Sequence, residues 1–358
     1  MRFVIFTHSL LSDWNHGNAH FLRGICTELR QRGHELTVYE PEDGWSRRNL
    51  LQNAGESAIH GFKQKYPELE SILYNEETLD LRAALGGADV VLVHEWNTSE
   101  LIRNIGQCRA RNDFTLLFHD THHRSVTERD AIAGFDLTHY DCVLAYGNVI
   151  RDAYLRNGWA KRAVTWHEAA DTRIFHPLVA EKCGDLVWIG NWGDDERAAE
   201  LREYLIRPAK DLKLSAVVYG VRYPNEVLTE LADAGIEYKG WLPNYCVPEV
   251  FARYRLTIHV PRRPYVKALP GIPTIRPFEA LACAIPLISA PWRDNEHLFH
   301  PDSDFVFAHS GSEMRDHIQR LLSQPETAHC QASNGLATIR SRHTCAHRVD
   351  ELMEVIGQ

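Results

Sequence analysis

The side chains best suited to proton chemistry follow a predicted buried strand in the first half of the chain. His119 and Asp120 come directly after the apolar run 115–118. In open α/β sheets, ligands bind beyond the carboxyl ends of the strands, so this position favours a functional site. A histidine beside a carboxylate can be oriented by it and can hold or move a proton near neutral pH. We therefore predict that His119 and Asp120 form a catalytic pair.

Three further side chains in this half have the same character. His94, Glu95 and His122 also follow predicted strands, and we predict that they contact the substrate. Three histidines with two acids leave a metal-dependent hydrolase open as an alternative. The spacing matches neither His-Glu-x-x-His nor the zinc-deaminase signature, so we predict no metal site. A purely structural histidine cluster is the second alternative.

The loop after the first predicted strand should lie at the same edge of the sheet. A glycine in this loop would let the backbone approach a phosphate or a sugar closely. The loop lacks Gly-x-Gly-x-x-Gly, so a nicotinamide or flavin site has no support, and an ordinary glycine turn is the alternative. We predict that Gly17 contacts this phosphate or sugar. The predicted substrate contacts in the loop are Trp14, Asn15, His16 and Asn18.

In the second half, cations surround a loop shaped by glycine and proline at 270–274. The cations are Arg262, Arg263, Lys267 and Arg276. Such a loop before a helix suits a diphosphate, because guanidinium groups and helix N–H groups bind phosphate oxygens. Solvated surface charge is the alternative.

The segment 274–289 predicts a helix followed by a buried strand. Thr274 is a suitable N-cap, and Glu279 should lie near the helix N-terminus. An acid at that place can bond a ribose diol, while an exposed glutamate is the alternative. The remaining predicted contacts with a ligand that carries a diphosphate lie in the loop 270–274 and in loops after other strands. They are Asn191, Arg222, Trp241, Gly271 and Ile272.

The run 276–289 resembles the Phe-Glu-Ala-Leu-Ala-Cys-Gly-x-Pro-x-Ile-Ser signature of GT-B glycosyltransferases, particularly the CgeB-like group. The opening 17–38 and the closing 342–352 also resemble that superfamily. The resemblance implies two Rossmann-like domains facing each other across a cleft, with the nucleotide-sugar donor held by the second and the acceptor by the first. It also implies that His119 contacts the donor sugar and that Glu279 binds the ribose.

The sequence departs from the broader retaining pattern at one position. That pattern has an acid eight residues before the helix glutamate, where this chain has Gly271. Retaining and inverting stereochemistry both stay open, as do the donor base, the sugar and the acceptor. A nucleotide-sugar epimerase and a non-catalytic glycan- or nucleotide-binding protein are the alternative functions, because fold does not fix function.

The elements that position these residues alternate between apolar strands and helices. Continuously apolar strands separated by helices indicate parallel sheets covered on both faces. We predict an α/β protein with two doubly wound domains, 1–170 and 171–340. A helix at about 340–358 is expected to pack back on the first domain.

Composition limits the remaining possibilities. The 358 residues are 44% hydrophobic and 24% charged, as in soluble globular proteins. A net charge of −9 offers no basic field for nucleic acid or anionic membrane. Eight scattered cysteines and a first apolar run too short for a leader or membrane span favour the cytoplasm. We expect a donor and an acceptor as partners, no further cofactor, and an undefined oligomeric state.

Overall fold

Each half of the chain folds around its own parallel β-sheet. The computed structural model describes residues 1–357, which divide into two units. The first unit comprises Met1–Glu168 and the C-terminal helix, and the second comprises Ala169–Thr344. Helices flank both sheets, so the predicted α/β class is confirmed.

The first sheet has seven parallel strands in the order β3-β2-β1-β4-β5-β6-β7. The order reverses between β1 and β4, so the loops that follow these two strands diverge and leave room for a ligand. The strands are β1 (Arg2–Phe6), β2 (Glu35–Pro41), β3 (Ile72–Tyr74), β4 (Val90–His94), β5 (Thr115–Asp120), β6 (Cys142–Ala145) and β7 (Ala163–Thr165).

The helices of the first unit cover its sheet and include the end of the chain. They are α1 (Ala19–Gln31), α2 (Trp45–Ala54), α3 (Glu56–Lys65), α4 (Leu81–Leu85), α5 (Ser99–Arg109), α6 (Arg124–Thr127), α7 (Arg129–Ala133), α8 (Asn148–Arg156) and, from the C-terminus, α17 (Cys345–Gly357). Helix α17 packs on α1. Arg32 beyond α1 pairs with Asp350 at 2.6 Å, and the Trp166 indole N–H donates to the Arg348 carbonyl at 2.8 Å.

The second sheet has six parallel strands in the order β10-β9-β8-β11-β12-β13. Its order reverses between β8 and β11, which places a second ligand crevice at their carboxyl ends. The strands are β8 (Gly184–Ile189), β9 (Ala216–Tyr219), β10 (Ile236–Tyr238), β11 (Tyr254–His259), β12 (Leu287–Ser289) and β13 (Val306–Phe307).

The second unit buries its sheet under eight α-helices and several short turns. The helices are α9 (Ala198–Leu201), α10 (Arg207–Asp211), α11 (Asn225–Asp233), α12 (Val247–Ala252), α13 (Arg263–Ala268), α14 (Ile275–Ala282), α15 (Gly311–Ser323) and α16 (Pro325–Arg342). A π-helical turn at Arg202–Ile206 joins α9 to α10. No helix within residues 1–357 is long and apolar enough to cross a membrane.

Two strands of the first sheet extend further than the sequence predicts. His94 is the last residue of β4, and His119 and Asp120 are the last two residues of β5. These polar side chains therefore belong to the strands rather than to the loops after them. Because successive strand residues point to opposite faces of the sheet, His119 and Asp120 diverge.

Candidate functional site

Four histidines form a continuous row at the edge of the first sheet, contributed by β4, β5 and the segment after β1. Their ring centroids lie 5.0 Å apart for His8 and His16, 6.5 Å for His16 and His94, and 5.4 Å for His94 and His119. Burial lowers the pKa of His8 to about 4 and that of His94 to about 3, and it holds the pKa of His16 and His119 well below 6.5. The row is therefore neutral at physiological pH.

A cavity of about 10 Å³ lies against this row, bordered by His16, His94 and His119 and by the rings of Phe21 and Trp166. This volume approaches what one water molecule requires. The Nε2 atoms of His16 and His119 have no hydrogen-bond partner within the described chain. Because buried polar atoms are normally paired, these two nitrogens suit a ligand hydroxyl or an ordered water.

Asp120 does not orient His119, which corrects the predicted catalytic pair. The Asp120 carboxylate accepts hydrogen bonds from the Tyr154 hydroxyl at 2.8 Å and from the His122 backbone N–H at 3.0 Å. His119 instead packs against Trp166, with ring centroids 4.9 Å apart. Burial and the nearby Glu95 raise the pKa of Asp120 to about 7.

Glu95 is fully buried at the end of β4 and is tied to its neighbours. Its carboxylate accepts from the Thr121 hydroxyl at 3.2 Å, and its Oε2 atom lies 3.0 Å from His94 Nδ1. Thr121 Oγ1 in turn lies 3.1 Å from His94 Nε2. Burial raises the pKa of Glu95 to about 7. His94, Glu95 and Thr121 therefore contact one another, and Glu95 helps to hold the His94 ring in position.

The loop after β1 is held in place by its own side chains. Trp14 is buried, and its indole N–H donates to Asn53 Oδ1 at 3.0 Å. Asn18 Nδ2 donates to the Thr121 carbonyl at 3.3 Å, which joins this loop to the segment after β5. Asn15, with φ 51°, takes the left-handed conformation of this loop, while Gly17 is exposed. Asparagine adopts that conformation more readily than most residues, so the turn depends on Asn15 rather than on Gly17.

In the second unit, Arg197 joins the segments that follow β8 and β11. Its guanidinium donates to the carbonyls of Val260 at 3.1 Å and Trp192 at 3.4 Å and also bonds the Asn191 carbonyl. Desolvation, together with the nearby Arg262, lowers the pKa of Arg197 to about 9. Arg197 is absent from the residues predicted from sequence, because it follows three acids that suggest only a helix start. A lone arginine after a glycine loop is the signal that could have identified it.

The cations around Arg197 create a positive field at this edge of the sheet. Arg262 pairs with Glu196 at 3.0 Å, and Arg276 pairs with Glu279. Burial, Arg197 and Arg276 together lower the pKa of His259 to about 3. The two arginines add to the effect of burial on His259, and a positive field at this edge favours binding of an anion.

Glu279 lies deeper than its sequence position suggests. It is the fifth residue of α14 rather than part of its first turn, and it is fully buried. Its Oε1 atom accepts from Asn244 Nδ2 at 2.6 Å. Thr274 precedes the helix at φ 66° without capping it, and its hydroxyl lies 3.5 Å from His259 Nε2. The predicted side-chain cap is therefore wrong.

Three of the remaining predicted donor contacts, Arg222, Gly271 and Ile272, already have partners within the chain. The N–H groups of Gly271 and Ile272 already donate to the carbonyls of Arg293 at 2.6 Å and Leu269 at 3.2 Å, so they are not available to a phosphate. Exposed Arg222 pairs with Asp194 at 2.7 Å.

Four other predicted contacts have distinct surroundings. The side chain of Asn191 accepts from the Val221 N–H at 3.0 Å, which braces the loop after β8. Lys267 is exposed near the end of α13, and Trp241 is half-buried. In the first unit, half-buried His122 packs edge-on against Trp96 at 5.0 Å. Across residues 1–357, no three His, Cys, Asp or Glu side chains are grouped as a metal site.

Comparison with known proteins finds one family match and several structures with the same fold. Residues 197–354 match the family model described as glycosyl transferase-like. The fold resembles sucrose-phosphate synthase from Thermosynechococcus elongatus, with a TM-score of 0.68 at 12% identity over 99% of this chain and 98% of that one. No curated protein matches the sequence.

Two further solved structures share the fold. Anabaena HepE, solved with UDP-glucose, has a TM-score of 0.69 at 12% identity over 100% of this chain and 99% of that one. An α-glucosyltransferase solved with UDP and a 13-mer DNA has a TM-score of 0.69 at 12% identity over the whole of both chains. These structures confirm the predicted GT-B fold, and the family match over residues 197–354 supports the predicted glycosyltransferase superfamily. The CgeB-like group stays a prediction.

The row of neutral histidines, of which His16, His94 and His119 are buried and His8 is half-buried, predicts a specific dependence of stability on pH. These histidines are neutral when folded but titrate near 6.5 when unfolded, so unfolding takes up protons below that pH. Their contribution to the free energy of unfolding is present above about pH 6.5 and is lost as the pH falls toward the folded pKa values. Glu95 and Asp120, with raised pKa values, act with the opposite sign.

The His8→Gln variant isolates the contribution of His8 to the pH dependence of the free energy of unfolding. Between about pH 7.5 and pH 5, wild type should lose on the order of 1–2 kcal/mol more stability than the variant does. Urea denaturation at each pH measures the difference. Identical pH profiles for the two proteins would show that His8 is not held neutral by burial.

The carbonyl contacts of Arg197 predict that its removal loosens the loop after β8. The Arg197→Met variant should lose about 2–4 kcal/mol of stability, because it leaves partly buried carbonyls without their donor. Hydrogen exchange of residues 190–197 should accelerate in the same variant. Arg222→Met is the matched control, since an exposed ion pair contributes about 0–1 kcal/mol. Equal losses in both variants would contradict the bridging role of Arg197.

Proposed function

We propose that the protein is a CgeB-like, metal-independent glycosyltransferase that moves a sugar from a nucleoside-diphosphate sugar to an acceptor. The observation that carries the proposal is the group of arginines beside buried Glu279 at the carboxyl edge of the second sheet. Two structural neighbours were solved with UDP or UDP-glucose, so a uridine diphosphate sugar is the first donor to test.

The arginines would bind the departing diphosphate. Arg262 and Arg276 lie close enough to Arg197 to lower its pKa, and each keeps some exposure to solvent. Guanidinium groups form paired hydrogen bonds with phosphate oxygens and carry a permanent charge. Negative charge develops on the diphosphate as the glycosidic bond breaks, and preorganised cations stabilise it most in that state. The same residues would therefore supply the charge that a metal ion supplies elsewhere.

Glu279 would bind the ribose of the donor. Its carboxylate has a partner on each side, with Asn244 at Oε1 and Arg276 at Oε2. These contacts fix the position of the carboxylate. A fixed carboxylate accepts hydrogen bonds from two neighbouring hydroxyls at a low entropic cost.

His119 would contact the sugar rather than remove a proton. Its pKa lies well below 6.5, so the neutral ring is a weak base that can still exchange hydrogen bonds with hydroxyls. Glu95 and Asp120 have pKa values of about 7, which suit proton transfer, but both are fully buried and engaged by neighbours. We assign Asp120 an indirect role through Tyr154 and the backbone of His122.

The Glu279→Gln variant tests the proposed donor site. It keeps the size of the side chain and an acceptor for Asn244 but removes the charge. We expect UDP binding to weaken by about 1.5–3 kcal/mol, the value of a hydrogen bond to a charged group. Isothermal titration calorimetry measures the affinity, and UDP release from UDP-sugars measures turnover. Glu249→Gln, an exposed acid on α12, should bind UDP as wild type does.

Two results would contradict the proposal. Unchanged UDP affinity in Glu279→Gln would remove Glu279 from the ribose site. If wild type neither bound nucleoside diphosphates nor released them from any nucleotide sugar in a panel of bases and sugars, the proposed function would be wrong.

Metal independence gives a separate prediction. UDP release by wild type should persist after extensive dialysis against EDTA, because the arginines would neutralise the leaving group. The rate is measured before and after dialysis and again after adding back magnesium, manganese or zinc. Activity that disappears in EDTA and returns with one of these ions would show that the reaction uses a metal.

A further inference from the structure

Two tryptophans stand half-exposed beyond the carboxyl ends of strands in the first sheet. Trp96 follows β4 and is 41% exposed, and Trp45 follows β2 and is 42% exposed. Neither belongs to the residues assigned above to donor, acceptor or catalysis. Exposed indoles lose the gain from burial, so their presence at a ligand-binding edge points to a contact surface.

Trp96 is held rigidly while part of its ring stays open. The Arg124 guanidinium lies 4.0 Å from the ring centroid, and the same side chain donates to the Glu95 carbonyl at 3.0 Å. The rings of His122 and His8 lie 5.0 Å and 5.8 Å from it. These contacts fix the plane of the indole, so a ligand that stacks on its open part loses little side-chain entropy.

Trp45 is held in a similar way at the start of α2. Its ring packs edge-on against Trp14 at 5.1 Å. The neighbouring Ser46 hydroxyl donates to the Trp14 carbonyl at 2.7 Å, which fastens α2 to the loop after β1. A Cβ atom on Gly44, directly before Trp45, would lie 3.5 Å from the carbonyl of His8, whose ring contacts Trp96. The residue before Trp45 therefore lies beside the backbone of His8, and the His8 ring contacts Trp96.

The charges beside the tryptophans distinguish between ligands with flat faces. Both a nucleobase and the C–H face of a pyranose ring can stack on an indole. Acids dominate the segments after β2 and β3, with Glu42, Asp43 and Glu77 exposed. The Glu76 carboxylate accepts from the Thr98 hydroxyl at 2.6 Å, two residues after Trp96. These four acids outnumber the three cations nearby, Arg47, Arg48 and Arg124, so the edge disfavours a polyanion.

We propose that Trp45 and Trp96 bind neutral pyranose rings of the acceptor, so that the acceptor is an uncharged glycan. This inference rests on the proposed glycosyltransferase function and adds its acceptor class. The indoles supply stacking surfaces for these rings. The acidic edge discriminates against nucleic acid.

Saturation-transfer difference NMR on the full chain tests this proposal with maltotriose and cellotriose as neutral probes and a thymidine oligonucleotide as the anionic one. We expect transfer to the ring C–H protons of at least one trisaccharide and none to the oligonucleotide. Trp96→Ala and Trp45→Ala should each weaken trisaccharide binding by about fivefold or more, equivalent to about 1 kcal/mol. Leu155→Ala is the control, because Leu155 is 42% exposed on α8.

A second pair of variants separates stacking from general hydrophobic contact. Trp96→Phe should keep most of the affinity because it keeps an aromatic face, whereas Trp96→Leu should not. The proposal would be overturned if neither trisaccharide showed saturation transfer, or if the alanine variants bound the trisaccharide as tightly as wild type does. It would also be overturned if Phe and Leu at position 96 preserved the affinity equally, or if the oligonucleotide bound at Trp96.

UDP binding by the same samples separates this inference from the proposed function. Tryptophan variants that bind UDP normally but have lost trisaccharide binding support the glycan surface. Wild type that binds UDP but neither trisaccharide overturns the acceptor inference and leaves the donor proposal standing. Wild type that binds a trisaccharide but no nucleoside diphosphate contradicts the proposed function instead.

Discussion

The candidate donor site depends on one guanidinium that holds two loops together. Arg197 binds carbonyls after β8 and after β11, the two strands between which the strand order of the second sheet reverses. Connections to these strands diverge, so the crevice tends to open unless something spans it. A guanidinium suits that place because its planar donors can reach carbonyls on both loops, which an ammonium on a flexible stem cannot do as well. The charge that performs this structural role also contributes to the field on a bound anion.

The two halves of the molecule solve opposite electrostatic problems. The second unit concentrates arginines at its sheet edge and keeps His259 neutral beside them. The first unit collects histidines at the corresponding edge and keeps them neutral through burial. In the proposed reaction, a charged leaving group and an uncharged sugar would require these two different environments. Sequence composition alone, with its net charge of −9, conceals this division.

Much of the fold could be predicted because its strands are short apolar runs that alternate with helices. The locations of the functional edges followed from the same pattern, since polar residues appear where each run stops. Strand ends were harder: His94 and Asp120 continue the ladders of β4 and β5 although their side chains are polar. Backbone pairing extends as far as the neighbouring strand allows, which a hydropathy pattern does not record.

Side-chain partners could not be predicted at all from spacing. The separation of His119 from Asp120 follows from the pleat of β5, which continues two residues beyond the predicted apolar run 115–118. The φ of 66° at Thr274 replaces the expected N-cap geometry, since a threonine hydroxyl can only cap when its own backbone is extended. Arg197 donates to backbone carbonyls. Every residue has a backbone carbonyl, so residue types in the sequence do not indicate such a contact.

The position of α17 in the first unit has a consequence for folding during synthesis on the ribosome. Residues 169–344 are inserted into the first unit, and Ala170 forms a bridge with Thr344 where the chain enters and leaves. Arg32 pairs with Asp350 and the Trp166 indole N–H donates to the Arg348 carbonyl, and both of these partners lie in α17. The first unit is therefore synthesised first but completed last, after the second unit has emerged in full. A nascent chain must keep the uncovered face of α1 from aggregating until the final thirteen residues of α17 arrive.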